Sequence, residues 1–204
     1  MKANIYLERE KEPANEFTYS RLTVTLGLWV DGKLYWIGEN QEKLIPEEAL
    51  SIRVKVGSCH SKANTQEVFI KNHGKETRNI RMLFIHHHRR VSREHLTFVS
   101  PVERAIFHVR NENIFLVNGQ CQGETIEQAT VQPLWNLHTE HIWDSIENGV
   151  LKYQPVSKGL MASLFSLKAN VKVNETCKAI AWIIFGDNKN ELIQLNKVVK
   201  SQYS

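Results

Sequence analysis

Three consecutive histidines, His86, His87 and His88, are the most unusual feature of this sequence, because imidazole side chains can bind metal ions and transfer protons. On a β-strand successive side chains point to opposite faces, so His86 and His88 share one face. Two imidazoles at this spacing can chelate a transition metal if a third ligand joins them. The other candidate ligands, none singled out by its spacing, are His60, His95 and His108. We therefore predict no metal and no cofactor, and a structural or polar-surface role for the imidazoles.

Two of the five tryptophans stand beside polar residues in a pattern that can bind sugars. An exposed indole can stack on the face of a sugar ring while a neighbouring carboxylate or amide binds the hydroxyl groups. Trp143 followed by Asp144, and Trp135 followed by Asn136, fit this description. Large aromatic residues more often anchor a loop by being buried, and this remains the alternative. The candidate ligand-binding residues are Trp135, Trp143, Asp144, His86 and His88.

No set of residues predicts a catalytic centre. Hydrolysis of a glycosidic bond needs two carboxyl groups ~5 Å or ~6.5–9.5 Å apart, and the carboxylates here are expected in polar turns or on a helical edge. The sequence contains no glycine-rich phosphate loop, no G-x-S-x-G motif and no H-E-x-x-H motif. Cys59, Cys121 and Cys177 are far apart and odd in number, so we predict reduced thiols that serve as packing residues.

Composition and charge are those of a globular protein. Of the 204 residues 42% are hydrophobic, which is enough for one substantial core. The net charge of +4 is small, and arginines such as Arg81 and Arg104 are not interleaved with stacking aromatic residues, so no nucleic-acid partner is expected. No window approaches 18 consecutive apolar residues, and early charges interrupt the N-terminus. We therefore expect no membrane segment, no signal peptide and a cytoplasmic location.

Alternation with a period of two dominates the sequence and predicts an antiparallel β-sandwich. Asp31-Gly32 lies between two alternating segments and favours the type I′ turn of a hairpin, in which both central residues need positive φ. The other predicted strands are residues 51–56, 67–70, 79–88, 94–99, 104–109, 113–117, 162–173 and 178–185.

Two segments predict helical structure. Residues 187–200 follow Gly186 with Asp187 as the expected N-cap, and residues 139–147 are expected to form one or two turns. The expected apolar stripe of the C-terminal helix consists of Leu192, Leu195, Val198 and Val199. We predict an N-terminal arm and first strand in residues 1–22, then a single β-sandwich domain in residues 23–204 that ends in this helix.

Several blocks of sequence occur in an order that is typical of one known domain. They are LWVDG (28–32) with WI (36–37), VFIKN (68–72), RNIRMLFIHH (78–87), NIFLVN (113–118) and AWIIFG (181–186). In this order they resemble the N-terminal domain of bacterial glucoamylase-type glycoside hydrolases. The resemblance implies a mainly β, antiparallel β-supersandwich with one C-terminal helix, similar to galactose-mutarotase-like folds. That family's catalytic (α/α)-barrel, which carries its paired carboxylates, has no counterpart in this sequence, so no catalytic residue is carried over.

Three hypotheses for function follow, because a fold by itself does not determine one. The first is a non-catalytic module that binds a carbohydrate or a separately encoded protein partner. The second is a carbohydrate-active enzyme of the mutarotase or lyase type, which requires a cleft where His86 or His88 faces a carboxylate. The third is a structural protein that self-associates through the edges of its sheets.

Overall fold

The computed structural model describes residues 22–38, 42–88 and 94–203, and within them it confirms a mainly β, antiparallel fold with one C-terminal helix. The predicted N-terminal arm lies outside the described residues. In chain order the elements are β1 (Leu22–Val30), β2 (Lys33–Ile37), β3 (Glu42–Ile45), β4 (Leu50–His60), β5 (Ala63–Asn72), β6 (Arg78–His88), β7 (Leu96–Ser100), β8 (Ala105–Arg110), β9 (Asn113–Cys121), β10 (Glu124–Thr125), β11 (Gln128–Pro133), β12 (Trp143–Ser145), β13 (Val150–Leu151), β14 (Val156–Lys158), β15 (Met161–Val171), β16 (Thr176–Gly186) and α1 (Lys189–Gln202).

The strands form two large sheets that pack against each other. The smaller sheet has the order β11-β15-β6-β1-β2, and the larger has the order β14-β7-β8-β9-β16-β5-β4-β3 with β10 paired to β9. The chain between β13 and β14 joins the two sheets along one side. There Val131 N–H donates to the Gln154 carbonyl oxygen at 2.7 Å, and Val99 N–H donates to the Pro155 carbonyl oxygen at 2.7 Å.

The alternating pattern puts one face of each sheet into a shared core. Ile80, Met82 and Phe84 alternate along β6, which was predicted as a strand, and they are fully buried together. Phe84 stacks on Phe165 of β15 with 5.1 Å between the ring centroids. The Asp31-Gly32 turn is also confirmed, since both residues have positive φ, +45° and +83°. Burial of these apolar side chains supplies most of the free energy that holds the two layers together.

Both sheets are also covered on their outer faces. The segment that includes β12 and β13 packs Ile142, Trp143 and Leu151 over the outer face of the smaller sheet. Helix α1 packs Leu192 and Val199 over the outer face of the larger sheet. The molecule therefore has four layers, and apolar residues on both faces of the central strands are buried.

Helix α1 differs from the prediction in two details. Its N-cap is Asn188, whose side-chain oxygen accepts hydrogen bonds from the backbone N–H groups of Asn190 and Glu191, and Asp187 precedes it. Val198, predicted to lie on the apolar stripe, is 51% exposed. Asn196 is buried instead, because it lies on the side of the helix that faces β9 and β16. No helix in the described ranges is long and apolar enough to cross a lipid bilayer.

Replacing Asn196 with alanine is expected to destabilise the protein by about 1–3 kcal/mol, the usual cost of leaving buried polar groups unpaired. The Asn196 side-chain oxygen accepts hydrogen bonds from Trp182 Nε1 at 2.8 Å and from Asn118 Nδ2 at 3.3 Å. The substitution therefore leaves two buried donors without an acceptor. Urea unfolding followed by tryptophan fluorescence measures the loss. Gln194→Ala, at an exposed position of the same helix, is the control, and an equal change in both variants would contradict the expectation.

Six strands were missed in the sequence, namely β3 and β10 to β14, and one predicted helical segment is shorter than expected. Strand β11 escapes the alternation rule because its polar residues Thr130 and Gln132 are buried, each donating to the Lys152 carbonyl oxygen. The four-residue strand β3 has Leu44 exposed at the sheet edge. Within residues 139–147 only a single 3-10 turn forms, at Glu140–Ile142, before β12 begins.

Candidate functional site

Four histidines meet inside the sandwich, between the two sheets. His86 and His88 lie on the inward face of β6 in the smaller sheet, while His95 and His108 come from the larger sheet. The His88 ring stacks on His95 with 4.0 Å between centroids and meets the His108 ring edge-on at 5.6 Å. The shared face of His86 and His88 is confirmed, but that face is the interior and not a polar sheet surface.

Hydrogen bonding in this histidine cluster is incomplete. His108 Nε2 lies 2.8 Å from Ser163 Oγ and its Nδ1 lies 3.3 Å from Thr97 Oγ1, so both of its nitrogens are paired. Neither ring nitrogen of His86 has a hydrogen-bond partner in the part of the chain that the structure describes. His86 instead stacks on Phe165, with the ring centroids 5.6 Å apart. This imidazole therefore behaves as a flat core side chain.

Burial keeps these imidazoles neutral. It lowers the pKa of His86 and of His88 to about 3 and puts the pKa of His108 well below its usual value. Burial also lowers the pKa of His95, and the nearby cationic Arg110 acts in the same direction on His88 and His95. A charged imidazole would have to give up its hydration without gaining an anionic partner, which is why the neutral form is favoured.

Within residues 22–38, 42–88 and 94–203, no three His, Cys, Asp or Glu side chains are arranged to hold a metal ion. The histidine cluster is no exception, since the close pair His88 and His95 lie ring on ring and do not direct their nitrogens at one point. Imidazole ligands of zinc point a nitrogen at the ion from about 2.0–2.1 Å. In this arrangement the four imidazole rings fill space in the core.

The remaining predicted ligand residues lie on the other side of the smaller sheet and do not join the histidines. Trp143 is only 8% exposed and packs with Leu137 and Ile142 in the covering layer, so it serves as a buried anchor and offers no open ring face. Asp144 is exposed beside it, which separates the two members of that pair. Trp135 is 67% exposed in a single 3-10 turn after β11.

A groove of about 390 Å³ lies along the side of the sandwich where the β13–β14 connection joins the two sheets. Its walls come from the β7–β8 turn, from the start of β11 and from Tyr153, which is 74% exposed. Polar groups along it include Ser100, Arg104, Glu127 and Gln128. An exposed aromatic ring beside several hydrogen-bonding groups is the composition that recognises a small polar ligand.

Two of these polar groups are held in place by their own contacts. Gln128 Nε2 donates to the Gly149 carbonyl oxygen at 2.9 Å, and its Oε1 accepts from the Leu151 N–H at 2.8 Å. Glu127 is ion-paired to Arg81 at 3.0 Å, and the Arg81 guanidinium lies over the Trp29 ring at 4.9 Å. The side chains of Glu127 and Gln128 are therefore fixed by their own contacts before any ligand binds.

A second depression, of about 630 Å³, lies where the β8–β9 turn meets the start of α1. Its lining includes Asn111, Glu112, Asp187 and Lys189 but no aromatic side chain. It lacks the ring that could stack on a ligand, so the groove beside Tyr153 is the better candidate site. Sequence analysis missed Tyr153, and the only signal for it was an isolated aromatic residue shortly before Pro155 in an irregular stretch.

Comparison with known proteins leaves the site to be judged on its geometry. No protein-family model matches the sequence, and none of the curated proteins matches it.

Proposed function

We propose that this protein is a non-catalytic β-sandwich module that binds a carbohydrate in the groove beside Tyr153. The observation that carries the proposal is the exposed Tyr153 ring bordering a groove lined by guanidinium, carboxylate, hydroxyl and amide groups. The apolar face of a sugar ring stacks on an aromatic side chain, and its hydroxyl groups pair with such polar groups. A volume of about 390 Å³ lies within the ~300–1,000 Å³ range of small-molecule sites.

An α-linked glucan is the ligand class that we propose first. The support for it is the resemblance of the sequence blocks to the N-terminal domain of glucoamylase-type hydrolases, whose substrates are α-glucans. A glucose unit presents a flat apolar face and equatorial hydroxyls, which fits a single tyrosine ring flanked by Arg104 and Ser100.

Removing the tyrosine ring is expected to abolish most of this binding. Tyr153→Ala should weaken the affinity for maltooligosaccharides at least about tenfold, because an aromatic contact of ~1.4 kcal/mol corresponds to that factor. Isothermal titration calorimetry with maltotriose to maltoheptaose gives the dissociation constants. Leu44→Ala, which removes an equally exposed side chain from the far edge strand β3, is the matched control. Unchanged affinity in Tyr153→Ala would contradict this site, and absence of binding to every α-glucan would contradict the ligand class.

A protein partner is the second candidate, and it is favoured by exposed apolar residues near the same edge. Trp135, Val156 and Leu160 are 67%, 53% and 40% exposed. The Leu134 N–H donates a hydrogen bond to the Leu160 carbonyl oxygen, which keeps the chain at Trp135 close to Leu160. Sedimentation at increasing concentration tests the self-associating version, and Trp135→Ser with Leu160→Ser should then lower the average mass.

The enzymatic alternative draws less support from the geometry. A mutarotase or lyase needs an imidazole open to its substrate, whereas His86 is fully buried and His88 is 5% exposed. Their surroundings are other imidazoles and the rings of Phe115 and Phe165. Turnover of a sugar substrate by the purified protein would reverse this preference.

A further inference from the structure

Two cysteines that are 56 positions apart in the sequence lie against each other in the core. Cys121 Sγ and Cys177 Sγ are 3.3 Å apart, and both side chains are buried. All three cysteines of the chain are free thiols, and Cys59 is half-buried near α1. A disulfide has an S–S length of about 2.05 Å, so the two sulfur atoms need to approach by little more than 1 Å to bond.

The strand register explains why these sulfur atoms meet. Strands β9 and β16 are paired so that Cys121 is opposite Ala179, which places Cys177 two residues away on the same inward face. Such diagonal neighbours are within reach of one another's side chains in an antiparallel sheet. Both thiols point into the core between the sheets, and rotation about the Cα–Cβ bonds is the movement that brings sulfur to sulfur.

Each of the two cysteines is next to an exposed residue in the sequence, although the sulfur atoms themselves are buried. Cys121 is the last residue of β9 and is followed by a turn that begins with the exposed Gln122, while Cys177 is preceded by the exposed Thr176 at the start of β16. Strand ends open locally at a lower free energy than strand centres. A reagent as small as a peroxide can therefore reach the sulfurs without global unfolding.

The contact does not by itself distinguish the two thiols. Either S–H can point at the other sulfur, and the S–H of Cys121 can also point at the Lys178 carbonyl oxygen 3.7 Å away. The thiolate is the nucleophilic form of cysteine. Whichever of the two thiols ionises is therefore the sulfur that reacts with the oxidant, and the other is the resolving thiol 3.3 Å away.

We propose that Cys121 and Cys177 are a redox modification site, at which a peroxide converts the buried thiol pair into an intramolecular disulfide. In the first step one of the two sulfurs attacks one peroxide oxygen, the O–O bond breaks, and a sulfenic acid and one water form. In the second step the other sulfur attacks the sulfenic sulfur, the S–O bond breaks and a second water leaves. The sum is two thiols and one hydrogen peroxide giving one disulfide and two waters, and thiol reductants reverse it.

The bond would link the ends of two strands at the centre of the larger sheet. It closes a chain segment spanning 56 positions, which restricts the unfolded chain and stabilises the folded one. We expect the midpoint of thermal unfolding to rise by at least about 5 °C in the oxidised protein, given the usual stabilisation by a disulfide and the size of this domain.

The test is peroxide treatment of the folded, full-length protein, followed by removal of peroxide with catalase and alkylation of remaining thiols after denaturation. Peptide mass mapping should find the Cys121 and Cys177 peptides joined, with two hydrogens fewer, and dithiothreitol should separate them. Using Cys59→Ser as the background removes the third thiol, and Cys177→Ala in that background should give no linked peptide. Protein treated in concentrated guanidinium is the control for pairing that does not depend on the fold.

Three results would overturn the proposal. One is that both thiols can still be fully alkylated after peroxide has oxidised the half-buried Met161 or Cys59. Another is Cys177 proceeding to a sulfinic acid with no linked peptide. The third is a disulfide that involves Cys59 or a second molecule in the wild-type protein. The peptide map of the wild-type protein decides the question even where a cysteine variant fails to fold.

Discussion

Mild acid is expected to unfold this protein at a pH where its carboxylates are still ionised, because its core contains histidines that must stay neutral. In the folded state the pKa of His86 and of His88 is lowered to about 3, whereas in the unfolded chain each is near the ordinary value of ~6.5. Below pH ~6.5 the unfolded chain therefore binds protons that the folded protein does not bind, so the free energy of unfolding decreases as the pH falls.

The expected loss is large compared with the stability of a typical domain. Each such histidine costs about 1.4 kcal/mol per pH unit below its unfolded pKa, so His86 and His88 together remove about 5 kcal/mol between pH 6.5 and pH 4.5. His108, whose pKa is also well lowered, acts in the same direction. Folded domains are stable by only about 5–15 kcal/mol in total.

Urea unfolding curves at pH 7.5, 6.5, 5.5 and 4.5, followed by tryptophan fluorescence, measure this dependence. His86→Phe removes one of the titrating groups from a site already stacked on Phe165, so its stability should fall less steeply with acid. His141→Gln, which replaces an exposed histidine, is the control variant. A stability that is flat from pH 7 to pH 4.5 would show that the buried imidazoles accept protons in the folded protein.

Truncation of Phe165 is expected to cost about 3–5 kcal/mol, the usual effect of replacing a fully buried phenylalanine with alanine. Phe165 lies at the centre of the core on β15, with its ring 5.1 Å from the Phe84 ring and 5.6 Å from the His86 ring. Across the interface its ring also fills the space left by Gly119, where an added Cβ would lie 3.0 Å from it. The cavity would therefore open at the contact between the two sheets.

Thermal and urea unfolding of Phe165→Ala at pH 7.5 measure the loss. Phe165→Leu is the matched variant and should cost clearly less, because most of the buried volume remains. A loss below about 1.5 kcal/mol in the alanine variant would mean that neighbouring side chains collapse into the space, which contradicts a close-packed centre. Because His86 stacks on this ring, the alanine variant should also make His86 easier to protonate in the folded protein, so its stability should fall less steeply with acid.

The sequence was sufficient where local rules act alone. Asp31-Gly32 specified its hairpin because few other residues adopt two successive positive φ angles. Alternation also predicted the strands at 79–88 and 178–185, whose residues Ile80, Met82, Phe84 and Trp182 are buried. The C-terminal helix was found within about two residues of its ends, because its period and its polar N-terminal residues are local signals.

The candidate site was only partly accessible to such rules. Spacing put His86 and His88 on one face, but period two does not say whether that face meets water or another layer. The burial of Trp143 and the exposure of Val198 could not be predicted for a related reason, since both depend on which surface the covering layer occupies. Tyr153 and its groove come from three segments that are distant in the sequence.

By itself the sequence determined the class of fold, because alternation, turn dipeptides and helix periodicity each involve residues that are close along the chain. Only the tertiary structure decided which faces became core, which aromatic residues stayed exposed and which thiols met. Those outcomes depend on packing between strands such as β6, β9 and β16, whose residues are tens of positions apart. The free energy of that packing comes from contacts among the assembled layers, which no single segment contains.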